Sequence, residues 1–256
     1  MKSKLVILGC GSSVGVPRID GVWGKCDKNY KKNRRTRCSA IITKGSNSVL
    51  IDTSPDIKTQ LLSNKIKNIS SVLFTHEHAD QTNGLFELRP FFWKNKKKIN
   101  IYGNIRTIKH LMKRQDYLFK KISNYPPICN SNIVRKKFTL GKFREKIFFE
   151  TFNAKHGDTN SVVYIFENTA YISDSNDLNI VKKKELKNLN YLVIDCLKIH
   201  KHPTHFNLSE VLYIHKHLKP KKTILTNLHH DLDYYFLLRK LPKNVLPAYD
   251  GFKIDL

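Results

Sequence analysis

Short apolar runs broken by polar turns set the pattern of this chain. Residues 4–8, 40–43 and 48–51 read as buried strands, the third ending on Asp52. A short helix is expected over 56–63, entered through Ser54-Pro55, an N-cap residue followed by proline. Residues 72–74 form another apolar strand. Helical spacing follows over 83–93, with apolar residues at Leu85, Phe86 and Leu88, and again over 105–118, with a strand over 99–102 between them. The stretch 117–129 carries Tyr117, Phe119, Tyr125 and Pro126-Pro127. It reads either as a lid or rim loop or as an ordinary irregular connection. Residues 147–152, 161–166, 170–173 and 191–196 are further strands. Helices over 208–218 and 232–238 flank a strand at 223–226, and 251–255 is the last strand. No composition break marks a linker and no fixed period marks a repeat, so one domain over 1–256 is expected. Strands alternating with helices in both halves predict sheets covered on their outer faces by helices, an α/β (α+β) class.

Composition narrows this little. Apolar residues make up 40% of the chain, enough for a packed core. No stretch approaches the ~20 apolar residues of a membrane span. The N-terminus reads as a first strand rather than a signal peptide, so a cytoplasmic location without membrane attachment is expected. Five scattered cysteines without a CxxC pair argue against a disulfide framework or a thiolate zinc knuckle. The formal charge of +25 suggests a polyanion. Yet lysine, asparagine and isoleucine are abundant together, the mix an AT-rich genome writes onto any fold, so the charge is read mainly as composition.

The chemistry starts at Thr75-His76-Glu77-His78-Ala79-Asp80. On a strand or strand-end loop, positions two apart share a side, so His76, His78 and Asp80 can converge. Imidazole nitrogen and carboxylate oxygen are ligands for zinc and manganese. Further candidates also follow strands: His156, Asp174, His205 and the pair His229-His230. Ligand sites gather on such edges because the loops there can aim side chains at one point.

In order and spacing, Thr75-His76-x-His78-x-Asp80, His156 and Ile172-Ser173-Asp174 resemble the metal-binding motifs of the metallo-β-lactamase superfamily. Gly9-Cys10-Gly11-Ser12-Ser13-x-Gly15-Val16-Pro17, Arg35-x-Arg37-Cys38-Ser39, Ile51-Asp52 and Tyr249-Asp250-Gly251 are similar to the phosphoribosyl cyclic phosphate phosphodiesterase branch. That branch is itself similar to the tRNA 3′-end nuclease, RNase Z. The resemblance implies a four-layer αβ/βα sandwich with two divalent metal ions, zinc or manganese, at the edge of facing sheets. It implies that His76, His78 and His156 bind the first ion, that Asp174 bridges, and that Asp80 binds the second and orients water. It makes His205 the catalytic histidine.

Two positions depart from the family pattern. Residue 81 is Gln and residue 227 is Asn where histidines are usual. Both departures fall on the second ion, for which His229 is the candidate replacement ligand and Gln81 a poorer one; two ions are expected, and the alternative is one firmly held ion with the second weak or absent. An oxygen-richer second site leans toward manganese. Only Cys26 remains where the branch has a thiolate cluster for an extra structural zinc, so no such site is expected.

The implied activity is hydrolysis of a small cyclic or phosphoribosyl phosphodiester by metal-activated water, with His205 as general acid. Arg18 or Arg89 are candidates to hold a second phosphate. One alternative is an RNase Z-like nuclease, against which stands the lack of a Gly-rich arm between Asp80 and His156. The other is a metal-binding module without catalysis, suggested by Gln81 and Asn227 and opposed by His205 and Asp174. The expected partner is a small phosphorylated substrate, nucleic acid is second, and a homodimer is left open.

Overall fold

A computed structural model of the protein describes residues Met1–Leu256. Two seven-stranded mixed sheets lie face to face. The first sheet runs in the order β14 (Phe252–Asp255), β1 (Lys4–Gly9), β2 (Ser39–Lys44), β3 (Asn47–Ile51), β4 (Ser71–Leu73), β5 (Ile99–Gly103), β6 (Cys129–Ile133). The second runs β13 (Val245–Pro247), β12 (Lys222–Thr226), β11 (Tyr191–Asp195), β10 (Thr169–Ile172), β9 (Thr159–Phe166), β8 (Ile147–His156), β7 (Lys137–Leu140).

Alternation along the strands decides which side chains enter which layer. Leu5, Ile7, Ala40, Ile42, Val49 and Ile51 of the first sheet meet Phe149, Tyr164, Tyr171, Val193 and Ile224 of the second in one buried cluster. The alternate residues point outward under helices. Val6, Ile41, Leu50 and Val72 pack with Ile57 and Leu61 of α1 (Ile57–Ser63) and with Ile108 and Leu111 of α4 (Ile105–Arg114). Ala170, Leu192, Ile194 and Leu225 pack with Val211 and Ile214 of α5 (Leu208–Leu218) and Leu237 of α6 (Tyr234–Lys240). The result is the four-layer αβ/βα sandwich. Near the site edge the sheets are joined by Val162 N–H donating to Thr75 O at 2.8 Å and by Tyr164 Oη donating to Phe74 O at 2.7 Å.

Strands β3, β4 and β5 are mutually parallel, as are β10, β11, β12 and β13. Their C-terminal ends therefore deliver several loops to one edge. No helix is long and apolar enough to cross a membrane.

Several elements differ from the sequence expectation. In place of the single helix expected over 83–93 stand a 3₁₀ turn (Leu85–Leu88) and α3 (Arg89–Asn95), preceded by an unexpected short α2 (Ala79–Thr82). The chain breaks at Gly84, whose N–H donates to Thr53 O at 2.9 Å; a Cβ there would sit 2.1 Å from Ser54 O. The helix expected over 105–118 ends at Arg114, and a 3₁₀ turn covers Asp116–Leu118. The strand expected over 147–152 runs on to His156, so this histidine ends the strand rather than following it. Strands β6, β7 and β13 were not expected. Ser54 does not cap α1 as expected; Asp56 is the N-cap residue, and Ser54 Oγ accepts from its N–H at 3.2 Å.

Candidate metal centre

Apolar β4 ends at Leu73, and the next residues reach the open edge. Thr75 is held there by Asp52, which closes β3 in a left-handed conformation (φ 60). Asp52 Oδ1 accepts from Thr75 N–H at 2.8 Å and Oδ2 from Thr75 Oγ1 at 2.9 Å. With its proton on Asp52, Thr75 Oγ1 accepts from His76 Nδ1, 3.0 Å away. His156 Nδ1 donates to Thr204 O at 2.8 Å. In both histidines Nδ1–H is engaged by an oxygen, which leaves Nε2 as a lone pair.

His76, His78 and His156 bring one ring nitrogen each to a common point, all within 4.8 Å of one another. His76 Nε2 lies 2.9 Å from His78 Nδ1. Burial pushes the His76 pKa down to about 3 and lowers that of His78, so both are neutral at physiological pH. Three converging imidazoles, two of them with the outer N–H fixed by an oxygen acceptor, form a donor set suited to a divalent transition metal. The three residues fit such an ion.

Asp174 follows β10 and is buried beside them, grouped with His156 and His205. Burial alone would raise its pKa, but His76, His205 and His156 outweigh it and hold it below the usual range. Asp80 opens α2. Burial, then Asp174, raises its pKa. Between these carboxylates sits Gln81, whose Nε2 donates to Asp80 Oδ2 and Asp174 Oδ2, both at 3.2 Å. Asn227 follows β12 in a left-handed conformation (φ 58), and its Nδ2 donates to Asp174 Oδ1 at 3.1 Å. His229 is elsewhere. It lines the same cleft, but its Nδ1 lies 3.1 Å from Asp231 Oδ2 and its ring packs on His230, centroids 3.7 Å apart. Its metal-type grouping is with His230 and Asp231, not with Asp80 and Asp174.

His205 Nδ1 contacts Asp195 Oδ2 at 2.8 Å, which turns Nε2 away from that carboxylate. Burial alone would lower the His205 pKa; Asp195, with Asp174 and Asp80, overrides it and raises it to about 9. Burial raises the Asp195 pKa to about 6. At neutral pH the pair is therefore an imidazolium and a carboxylate. Asp195 was not expected; its one sequence signal is a carboxylate ending apolar β11, as Asp174 follows β10.

A cleft of about 450 Å³ opens over the site, lined by Asp80, His78, His156, Asp174 and His205 among others. Its cations are Arg106 and Lys198, not the expected Arg18 and Arg89. Arg18 pairs with Asp20, and Arg89 lies over the rings of Phe86 and Trp93. Arg106 Nε is itself bound to Glu77 at 2.7 Å, whereas Lys198 has no carboxylate partner. No residue of 117–129 lines the cleft.

Residues 47–229 match the model of the beta-lactamase superfamily domain. The chain belongs to the beta-lactamase superfamily. Among solved superfamily structures, a new diphosphatase of the PhnP family is similar at 30% identity and a TM-score of 0.90, covering 100% of this chain and 98% of its own. Human tRNase Z, short form, is similar in fold at 15% identity and a TM-score of 0.68, covering 98% of both chains. Zinc-bound PqqB from Methylobacterium extorquens shares the fold at 15% identity and a TM-score of 0.79, covering 99% of this chain and 100% of its own. A curated octanoyltransferase of Porphyromonas gingivalis is 28% identical over 98% of this chain and 51% of its own length. The chain thus spans about half of that relative.

Proposed function

We propose that this superfamily hydrolase is a metal-dependent phosphodiesterase acting on a small phosphorylated substrate, such as a cyclic or phosphoribosyl phosphodiester. The observation that carries the reading is the His205–Asp195 pair beside three converging imidazoles in one cleft. A divalent ion at His76, His78 and His156 would supply Lewis-acid activation of a phosphoryl oxygen and of water. The rest falls to the chain. Asp80, beside Asp174 on the cleft wall, accepts a hydrogen bond from the attacking water and orients it. Water adds to phosphorus, giving up one proton to the Asp80 carboxylate, as the bond to the leaving oxygen breaks. His205 Nε2–H gives that oxygen its proton, and Asp195 keeps the imidazole charged and aimed until then. Lys198 supplies positive charge at the mouth for a phosphate oxygen.

The PhnP-family likeness supports phosphoester chemistry, and the cleft of about 450 Å³ supports a small substrate over a long polynucleotide. The octanoyltransferase likeness lends no acyl-transfer step, because it covers only about half of that protein and the cleft walls are mostly polar or charged. His205→Ala tests the reading: metal content should stay, and bis(p-nitrophenyl) phosphate hydrolysis should fall by about 10²–10⁴. An undiminished rate contradicts the role of His205.

A further inference from the structure

We infer that the Asp80–Asp174 position holds no metal ion in this protein, because the amides of Gln81 and Asn227 occupy it as hydrogen-bond donors. The inference rests on the metal-dependent reading of the site, but not on any substrate.

A divalent ion between Asp80 and Asp174 needs lone pairs directed at it. The structure directs protons there instead. Gln81 Nε2 bridges the two carboxylates, at 3.2 Å from each. Asn227 Nδ2 takes the other oxygen of Asp174 at 3.1 Å and lies 3.3 Å from His205 Nδ1. Turning the Gln81 amide over would set its carbonyl oxygen against two carboxylates, which is repulsive without a cation between them. In the present orientation Gln81 Oε1 is buried without a hydrogen-bond partner. Gln81 is 0% exposed and Asn227 1%, so neither is free to swing out and make room. His229 brings no replacement nitrogen, since it faces Asp231. The three-histidine position has none of these obstacles. Its nitrogens converge without an amide proton among them.

The two amides also do what a second cation would otherwise do for Asp80 and Asp174. They hold two neighbouring carboxylates in place, without adding charge. Asp80 thereby remains a free oxygen base toward the cleft rather than a ligand.

The test reads metal content rather than turnover. Protein purified without chelator is dialysed against zinc, and separately against manganese, and its metal-to-protein ratio is measured by elemental analysis. Asp80→Ala should leave the ratio of the parent unchanged. The double variant Gln81→His/Asn227→His should gain about one ion per chain, and that gain should vanish when Asp80→Ala is added. Histidine tolerates the left-handed backbone at 227 better than most residues. The single variants and a thermal melt show whether the double variant is folded; if it is not, the Asp80→Ala comparison on the parent still decides. A parental ion that is lost on Asp80→Ala overturns the inference, as does a folded double variant that gains nothing. Metal results of either kind are independent of phosphodiesterase activity, so failure of the substrate reading is seen separately.

Discussion

His205 Nδ1 and Asp195 Oδ2 are 2.8 Å apart, on a loop and a strand end that the sequence separates by ten residues. Asp195 is fully buried behind His205, which is partly exposed where it lines the cleft. Two opposed effects act on this histidine. Burial disfavours its charge, and the Asp195 carboxylate favours it and wins.

The first prediction follows from that contest. The phosphodiesterase rate of the parent should hold through neutral pH and fall as pH rises through about 9, where the His205 imidazolium loses its proton. It should also fall as pH drops through about 6, where Asp195 takes up a proton and the pair loses its negative partner. Asp195→Asn removes the largest raising effect and leaves burial opposed only by Asp174 and Asp80, so the alkaline limb should move to lower pH. A pH–rate profile checks this; an unmoved alkaline limb shows that His205 is not the titrating acid.

Metal affinity should depend on Thr75, which touches no metal itself. Its hydroxyl links Asp52 to His76 Nδ1 and fixes the nitrogen that His76 presents. Thr75→Val keeps the shape and removes that link. Affinity should weaken by about 10–100-fold, read by chelator competition. Unchanged affinity would show that the ring is held by packing alone.

Stability should depend on the layer between the sheets. Phe149 is fully buried, stacked on Phe138 at 5.2 Å and tilted against Phe166 at 5.6 Å. Phe149→Ala should cost about 3–5 kcal/mol in denaturant unfolding. Metal-to-protein ratio of the folded fraction should not change, because Phe149 lies in the strand far from His156.

Much of the site was legible because its signals are local. His76, His78 and Asp80 stand two apart directly after an apolar strand, and Asp174 follows another. Helix-covered sheets were legible because apolar strands and helical spacing alternate in both halves, and the resemblance of the histidine and aspartate motifs to the superfamily implied the four layers. What was not legible depends on distant contacts. Nothing near Asp195 announces that His205 will reach it. Nothing near Arg106 or Lys198 says that these two side chains, rather than Arg18 and Arg89, line the cleft. Strand β6, Cys-Asn-Ser-Asn-Ile, is a sheet edge with mostly exposed polar side chains, so it carries no apolar alternation to read. Residue 229 has the right chemistry two positions past Asn227, but the chain turns it to Asp231.

The central claim is that hydrolysis needs an ion at His76, His78 and His156. The most direct measurement is the rate on bis(p-nitrophenyl) phosphate before chelation, after chelation, and after adding back zinc or manganese, for the parent and for His76→Ala. The parent should lose activity with the chelator and regain it with metal, and His76→Ala should stay inactive throughout. A folded, chelated parent that hydrolyses the ester at its original rate would contradict the claim.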